Sequence, residues 1–395
     1  MNQNSIRYVI DFMEQFAINT GLDPESSHPK RYLWTDAFAV CNYLELYNQM
    51  NDKKYLNLAF KLVDQVHNIL GKYRIENPKT GWISGLDLDE GGNHPTRGGL
   101  RIGKDMNERM PNEPFNERLE WDKDGQYYHY LTKWMHSLSN TSMATGDVRY
   151  VKWALELAKT AHAHFTYTPD HVKKRRMYWK MSIDLKRPLI PSMGQHDPLD
   201  GYITYNEIQT GMKNLGLIES TEAPLEHEIE DMKDICLGMS MITNDPLGIG
   251  GLLFDATRIT QLIIKGGLNN FELLEKVLED SIVGLRSYIG DDPLDIPAEY
   301  RLAFRELGLS IGIKGLKNII ELVVYENEFY TRKSLINRLN DLKIYTDIGV
   351  LIEKFWIDEE NRKTKNWIDH RDINTVMLAT TLAPQGFLRV IKNQL

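Results

Sequence analysis

Only two cysteines, Cys41 and Cys236, occur among the 395 residues. Two thiols cannot make a disulfide framework, and without a Cys-x-x-Cys pair they offer no zinc clasp; both facts fit a reducing compartment. Proline and glycine are sparse, at 15 and 28 residues, which excludes collagen-like and low-complexity classes. No stretch approaches 18 uncharged apolar residues, and the N-terminal MNQNSIRYVIDFMEQFAINT carries Asp11 and Glu14 inside its apolar pattern. Neither a membrane anchor nor a signal peptide is expected. Basic charge is also short: 47 Lys and Arg against 55 Asp and Glu leave a net −8, the reverse of a nucleic-acid footprint. GxxxxGK[ST], GxGxxG after a strand, HExxH and GxSxG are all missing, so nucleotide, flavin, zinc-protease and nucleophile-elbow chemistries lose their usual support. These absences predict a soluble, cytoplasmic protein with no bound metal or organic cofactor.

What is present is a 42% hydrophobic chain whose apolar positions recur at helical spacing almost throughout. Leu56, Ala59, Phe60, Val63, Val66, His67 and Leu70 make one such stripe, and the stretch from Val148 to Phe165 makes another. Strict alternation long enough for several strands is hard to find. Asp-Pro-Leu occurs at Asp197, Asp245 and Asp292, at intervals that suit one helical hairpin plus loops, and each copy is expected to open a helix. Further helix starts near Thr35, Gln126 and His370 bring the candidates to six. The predicted fold is all-α: a single (α/α)6 toroid domain over residues 1–395, with a long ordered loop insertion at 74–125. An open α-solenoid shares the same repeat physics.

The insertion lacks a helical period, and loops of this length are functional or disordered. Trp82, Phe115 and Trp121 argue for order. The segment EWDKDGQYYHYLTKWMHSL follows, with Trp121, Tyr127, Tyr128, Tyr130 and Trp134 close together and Glu120, Asp122 and Asp124 beside them. Aromatic faces next to carboxylates suit a sugar, whose C–H face stacks on a ring while its hydroxyls bond to the acids. The bland alternative is a core stripe with Asp124 as its cap. His129 and His136 are seven residues apart, which is the wrong spacing for a helical zinc pair. At the next mouth stand His196, Asp197 and Asp200. Asp197 reads as a cap, because the other Asp-Pro-Leu copies need no catalysis. The first mouth offers Arg31, Trp34 and Asp36, with Thr35 as a candidate cap. Asp255 and Arg258, Arg301 and Arg305, and His370 complete the set, with structural ion pairs as the alternative for the charged ones. The carboxylates proposed as catalytic are Asp36, Glu120, Asp122 and Asp200. Arg31, Trp34, Trp121, Tyr127, Tyr128, His129, His196, Arg258, Arg301, Arg305 and His370 are proposed to bind substrate.

The hairpin order, with WTDAF at one helix start and WDKDGQYYHYLTKW at the next, resembles the six-hairpin glycosidase-like superfamily and, more distantly, the N-acylglucosamine 2-epimerase group. The first resemblance implies a glycoside hydrolase with two carboxylates across the scissile bond, about 6.5–9.5 Å apart for inversion or about 5–5.5 Å for retention. The second implies an epimerase with histidines as proton donor and acceptor, for which His129, His196 and His370 are available, although a His-Pro-Gly-His-like segment is missing. A hydrolase acting on a small or oligosaccharide substrate is the leading expectation. A sugar epimerase or isomerase, a terpene-cyclase-like enzyme and a non-enzymatic helical-repeat scaffold are the alternatives.

Overall fold

The computed structural model describes residues 3–172, 174–219 and 223–390. The chain is all-α, in the helical-hairpin class to which (α/α)6 toroids belong. Among the described residues the β structure is limited to strands of two or three residues and the isolated bridges Lys72 with Trp82 and Met106 with Lys123. The apolar periodicity marks the helices closely. Val148–Phe165 starts where its stripe starts, because Asp147 accepts a hydrogen bond from the Arg149 amide. Lys53–Leu70 is capped in the same way by Asp52.

Asp-Pro-Leu opens two helices and not a third. Asp245 caps Pro246–Ile264 through the Leu247 amide, and Asp197–Asn214 begins on the first copy. At the third copy Asp292 takes a left-handed conformation (φ 46°), Pro293–Asp295 makes a single 3-10 turn, and the long helix starts only at Ala303. Left-handed Asp292 makes no side-chain cap bond, whereas Asp245, in the extended backbone usual at an N-cap, does.

Two compact units are distinguished, Thr20–Tyr47 with Asn51–Met239, and Met1–Asn19 with Asn48–Met50 and Ser240–Leu395. In the first, Tyr128–Thr145 and Val148–Phe165 form a hairpin that turns at Gly146, whose φ of 75° favours glycine. Asp197–Asn214 packs on Tyr128–Thr145 closely enough that a Cβ on Gly201 would lie 2.2 Å from the Tyr128 hydroxyl. A small antiparallel sheet, in the order Gln126–Tyr127, Lys180–Met181, Pro188–Ile190, leads into the Tyr128 helix.

The 74–125 insertion carries two short helices, Leu88–Asn93 and Glu117–Asp122, in an otherwise irregular path. Buried polar bonds hold it in place. Asp124, for which a cap is the alternative reading, pairs with Arg101 at 2.6 Å and accepts the Gly103 amide, while Arg101 donates to the Lys72 and Ile69 carbonyls. Gln126 binds the Leu100 amide and the Gly98 and Ile183 carbonyls. Apart from the Asp124–Arg101 pair, each of these bonds satisfies a backbone group.

In the second unit, Pro246–Ile264 lies against Ala303–Val323, and a Cβ on Gly312 would meet the Gly250 carbonyl oxygen at 2.4 Å. Pro246–Ile264 is long and apolar enough to cross a membrane by length and composition, yet 72% of its apolar window is buried inside the protein. It is a core helix by packing.

Candidate functional site

The site is built by one helix face meeting another. On Tyr128–Thr145, His129, Thr132, Lys133 and His136 recur at intervals of three and four and so share a face. On Asp197–Asn214, Asp197, Asp200 and Glu207 do the same. The faces meet in rungs. His129 Nδ1 is 3.8 Å from Asp197 Oδ1, and Asp200 Oδ2 accepts from Thr132 Oγ1 at 2.5 Å and Lys133 Nζ at 2.6 Å. His136 Nδ1 is 2.8 Å from Glu207 Oε1. Asn140 Nδ2 donates to His136 Nε2 at 3.1 Å, which leaves the proton on Nδ1 for Glu207. Cys41, within reach of Asn140 at 3.6 Å, is pushed up to about 12 by burial.

Asp197 is the exception in this ladder. It is the first residue of its helix, His196 occupies the cap position, and no side chain caps that end. Its Oδ2 is buried without a hydrogen-bond partner. Gly194 makes room for it, since a Cβ there would lie 2.4 Å from that oxygen. The helix dipole favours an anion at this position by about 0.3–1 kcal/mol. Burial and then the charge of Asp200 outweigh the dipole and the nearby Lys133, and raise the carboxyl from 3.8 to about 7. His129 moves the opposite way. Its side chain keeps 37% accessibility, yet desolvation, reinforced by Lys133 against Asp200, lowers it to about 4. A neutral imidazole therefore stands beside a carboxyl that titrates near neutrality.

Aromatic rings wall the pair. Tyr127 stacks on His129 with centroids 5.5 Å apart and planes at 13°. On its other side Tyr127 stacks on Trp179 at 5.1 Å, and Trp179 lies 5.2 Å from Trp121. Tyr130 meets His129 edge-on at 4.8 Å and shares a 2.6 Å hydroxyl contact with Tyr32. The Tyr127 hydroxyl is buried without a partner, and burial raises it.

The structure thus brings together Trp121, Tyr127, His129 and Asp200 from the sequence-based set, with His196 preceding Asp197 at the helix mouth. Trp34 touches this wall through Tyr130, 6.5 Å away, while its own ring is buried against Phe38. The remaining residues have other partners. Asp36 reaches back to the Tyr32 amide at 2.9 Å and lies 3.6 Å from Arg31, which also bonds to the Thr20 and Lys30 carbonyls. Glu120 is buried between Arg109 at 2.8 Å and Lys180 at 3.0 Å. Asp122 is exposed. Tyr128 is a core residue whose hydroxyl donates to Tyr205 at 2.8 Å.

Four candidates belong to the second unit. Arg258 is fully buried and pairs with Asp255 at 2.6 Å. Arg301 and Arg305 do not form a clamp. Arg301 lies before the helix and bonds Glu306 with both arms at 2.8 and 2.7 Å, and Arg305 pairs with Asp245 at 2.9 Å. His370 is exposed, stacked on Phe304 at 5.5 Å.

Sequence reasoning overlooked Lys133, Thr132 and Trp179 and set Asp197 aside. Lys133 and Thr132 lie one turn from His129 and could have been found by helical spacing. Trp179 lies in a bend just before the strand Lys180–Met181, where strands of two or three residues leave no periodic signal.

No protein-family profile matches the chain, and no curated protein does. Three solved structures align with it over most of their length. Cellobiose 2-epimerase from Spirochaeta thermophila DSM 6192 gives a TM-score of 0.46 at 10% identity, covering 94% of this chain and 97% of that one. A sugar epimerase from a ruminal bacterium gives 0.43 at 10% identity, covering 86% and 87%. Cellobiose 2-epimerase from Bacillus thermoamylovorans B4167 gives 0.44 at 8% identity, covering 88% of each.

Proposed function

We propose that this protein is a carbohydrate-active enzyme of the epimerase or isomerase kind, moving a proton at the carbon beside the carbonyl of a reducing sugar. The six-hairpin toroid expected from the sequence is the scaffold this reading assumes. One observation carries it: Asp197, a buried carboxyl with an orphaned oxygen and a pKa raised to about 7, stands 3.8 Å from a histidine held neutral. Groups that exchange protons near the working pH are what general acid–base catalysis needs. One of the pair takes the proton from carbon, and the electron pair moves into an enediolate. Return of a proton to the opposite face gives the epimer, and to the neighbouring carbon the isomer. Side-chain proton transfer of this kind calls for no metal or organic cofactor. The half-buried ring of Trp179 supplies a face for the sugar's C–H surface, and Tyr127, covered by Trp179 and His129, backs it.

A hydrolase is less well supported. Its mechanism needs two carboxylates available across a bond, whereas Asp36 and Glu120 are bound by cations, Asp200 is held by Lys133 and Thr132, and Asp122 faces solvent. The polar seam of Lys133, Asp200, His136 and Glu207 is a poor lining for an apolar isoprenoid chain. A peptide-binding scaffold has no use for an acid–base pair. The test is incubation with reducing sugars in D2O, followed by NMR. Deuterium entering at the carbon next to the carbonyl, with a new epimer or ketose, is the expected result. Release of free sugar from glycosides without deuterium at that carbon would establish hydrolysis instead.

A further inference from the structure

The second unit holds a cavity of about 520 Å³ that none of the sequence-based candidates lines. It opens where Pro246–Ile264 and Ala303–Val323 end, and Gln385, Leu388 and Arg389 complete its lining. The volume suits a small ligand, and the lining decides which kind.

Arg389 is the informative residue. Gln261 grips the chain on either side of it, donating from Nε2 to the Leu388 carbonyl at 2.8 Å and accepting the Val390 amide on Oε1 at 3.1 Å. The backbone is thereby pinned, while the half-buried guanidinium lines the cavity with no ion pair among the described residues. Five donors without an acid call for a carboxylate or a phosphate. Two helix ends bring partial negative charge to the same place, and Lys265, the C-cap residue of Pro246–Ile264, offsets it. The charge of Arg389 is left for a ligand.

Neutral groups stand around it. Gln385 Nε2 donates to Asn318 Oδ1 at 3.3 Å, which leaves the Asn318 amide protons and the Gln385 carbonyl oxygen for hydroxyl groups. Tyr325 stands at the rim with 85% of its surface exposed and no ring partner among the described residues, so its face is open to a C–H surface. Hydroxyls, a C–H face and one acidic group occur together in an acidic sugar.

We propose that this cavity binds a monosaccharide carrying one phosphate or carboxylate group, with the acid on Arg389 and the ring against Tyr325. The site shares no residue with the His129 and Asp197 pair and does not depend on the sugar-isomerising reading.

The experiment is calorimetry on the full chain with glucose 6-phosphate, glucuronate, glucose and inorganic phosphate as probes. At least one acidic sugar should bind about tenfold more tightly than glucose or inorganic phosphate, the scale of one charge-assisted contact. Arg389→Gln should remove that advantage over glucose, and Arg389→Lys should recover only part of it, because the fork is lost. Tyr325→Ala should weaken the acidic sugar about fivefold and Tyr325→Phe should restore it. Because Tyr325 is so exposed, its replacement tests the site without threatening the fold. Asp197→Asn should leave this binding unchanged. A preference for glucose 6-phosphate assigns a phosphate ester and a preference for glucuronate a carboxylate; either upholds the proposal. Inorganic phosphate binding as tightly as the sugars, no binding of either acidic sugar, binding lost in Asp197→Asn, or binding indifferent to Arg389→Gln or to Tyr325→Ala overturns it.

Discussion

Replacing Asp197 with asparagine should raise stability in alkaline solution while abolishing turnover. In the folded chain the carboxyl keeps its proton up to about pH 7, whereas its ordinary value is 3.8. Between those limits the folded state binds more protons than the unfolded state, so the group's contribution to stability falls as pH rises. Each pKa unit is worth about 1.4 kcal/mol, which sets the wild-type loss at no more than about 4 kcal/mol between pH 4 and pH 8. Asparagine has nearly the same volume and no charge to bury, so Asp197→Asn escapes this loss. Urea unfolding followed by circular dichroism at pH 4.5, 6 and 8 measures the gap between the two proteins. The gap should be small at pH 4.5 and widen in favour of the variant by pH 8, because subtracting the two curves cancels every other titrating group. A gap that stays constant with pH, or widens in favour of the wild type, would refute the reasoning.

Three other outcomes follow from the same geometry. Glu120→Gln should destabilise the chain by about 3–5 kcal/mol in urea unfolding, because Lys180 loses its anion while fully buried; Glu120→Leu with Lys180→Met should recover much of the loss. Gly312→Ala should cost about 1–3 kcal/mol in the same assay, since its methyl would meet the Gly250 carbonyl. His129→Gln should leave the unfolding midpoint at pH 7 little changed and bring deuterium exchange to background, while calorimetry still detects sugar.

The helices were legible because burial writes a 3.6-residue period into the chain. Val148–Phe165 is bounded as its apolar stripe and its Asp147 cap indicate. The aromatic cluster between Trp121 and Trp134 was legible as composition, and the structure divides it: Tyr127 and His129 face the site while Tyr128 faces Tyr205 and Phe165. The chemistry of Asp197 was not legible. Its tripeptide recurs at Asp245, where the same acid is an ordinary cap. What separates the two is the neighbour supplied by another helix, His129 with Lys133 and Asp200 around it, and a local motif contains no record of that. The roles proposed for Asp36 and Glu120 depended in the same way on cations from elsewhere in the fold.

The most direct measurement is the pH dependence of kcat/KM for deuterium exchange into a reducing sugar, compared between the wild type and Asp197→Asn. The account predicts a bell for the wild type, rising as His129 loses its proton near pH 4 and falling as Asp197 loses its own near pH 7. The asparagine variant should show only residual exchange, with no alkaline limb near 7. A variant with wild-type rate and an unchanged bell would contradict it.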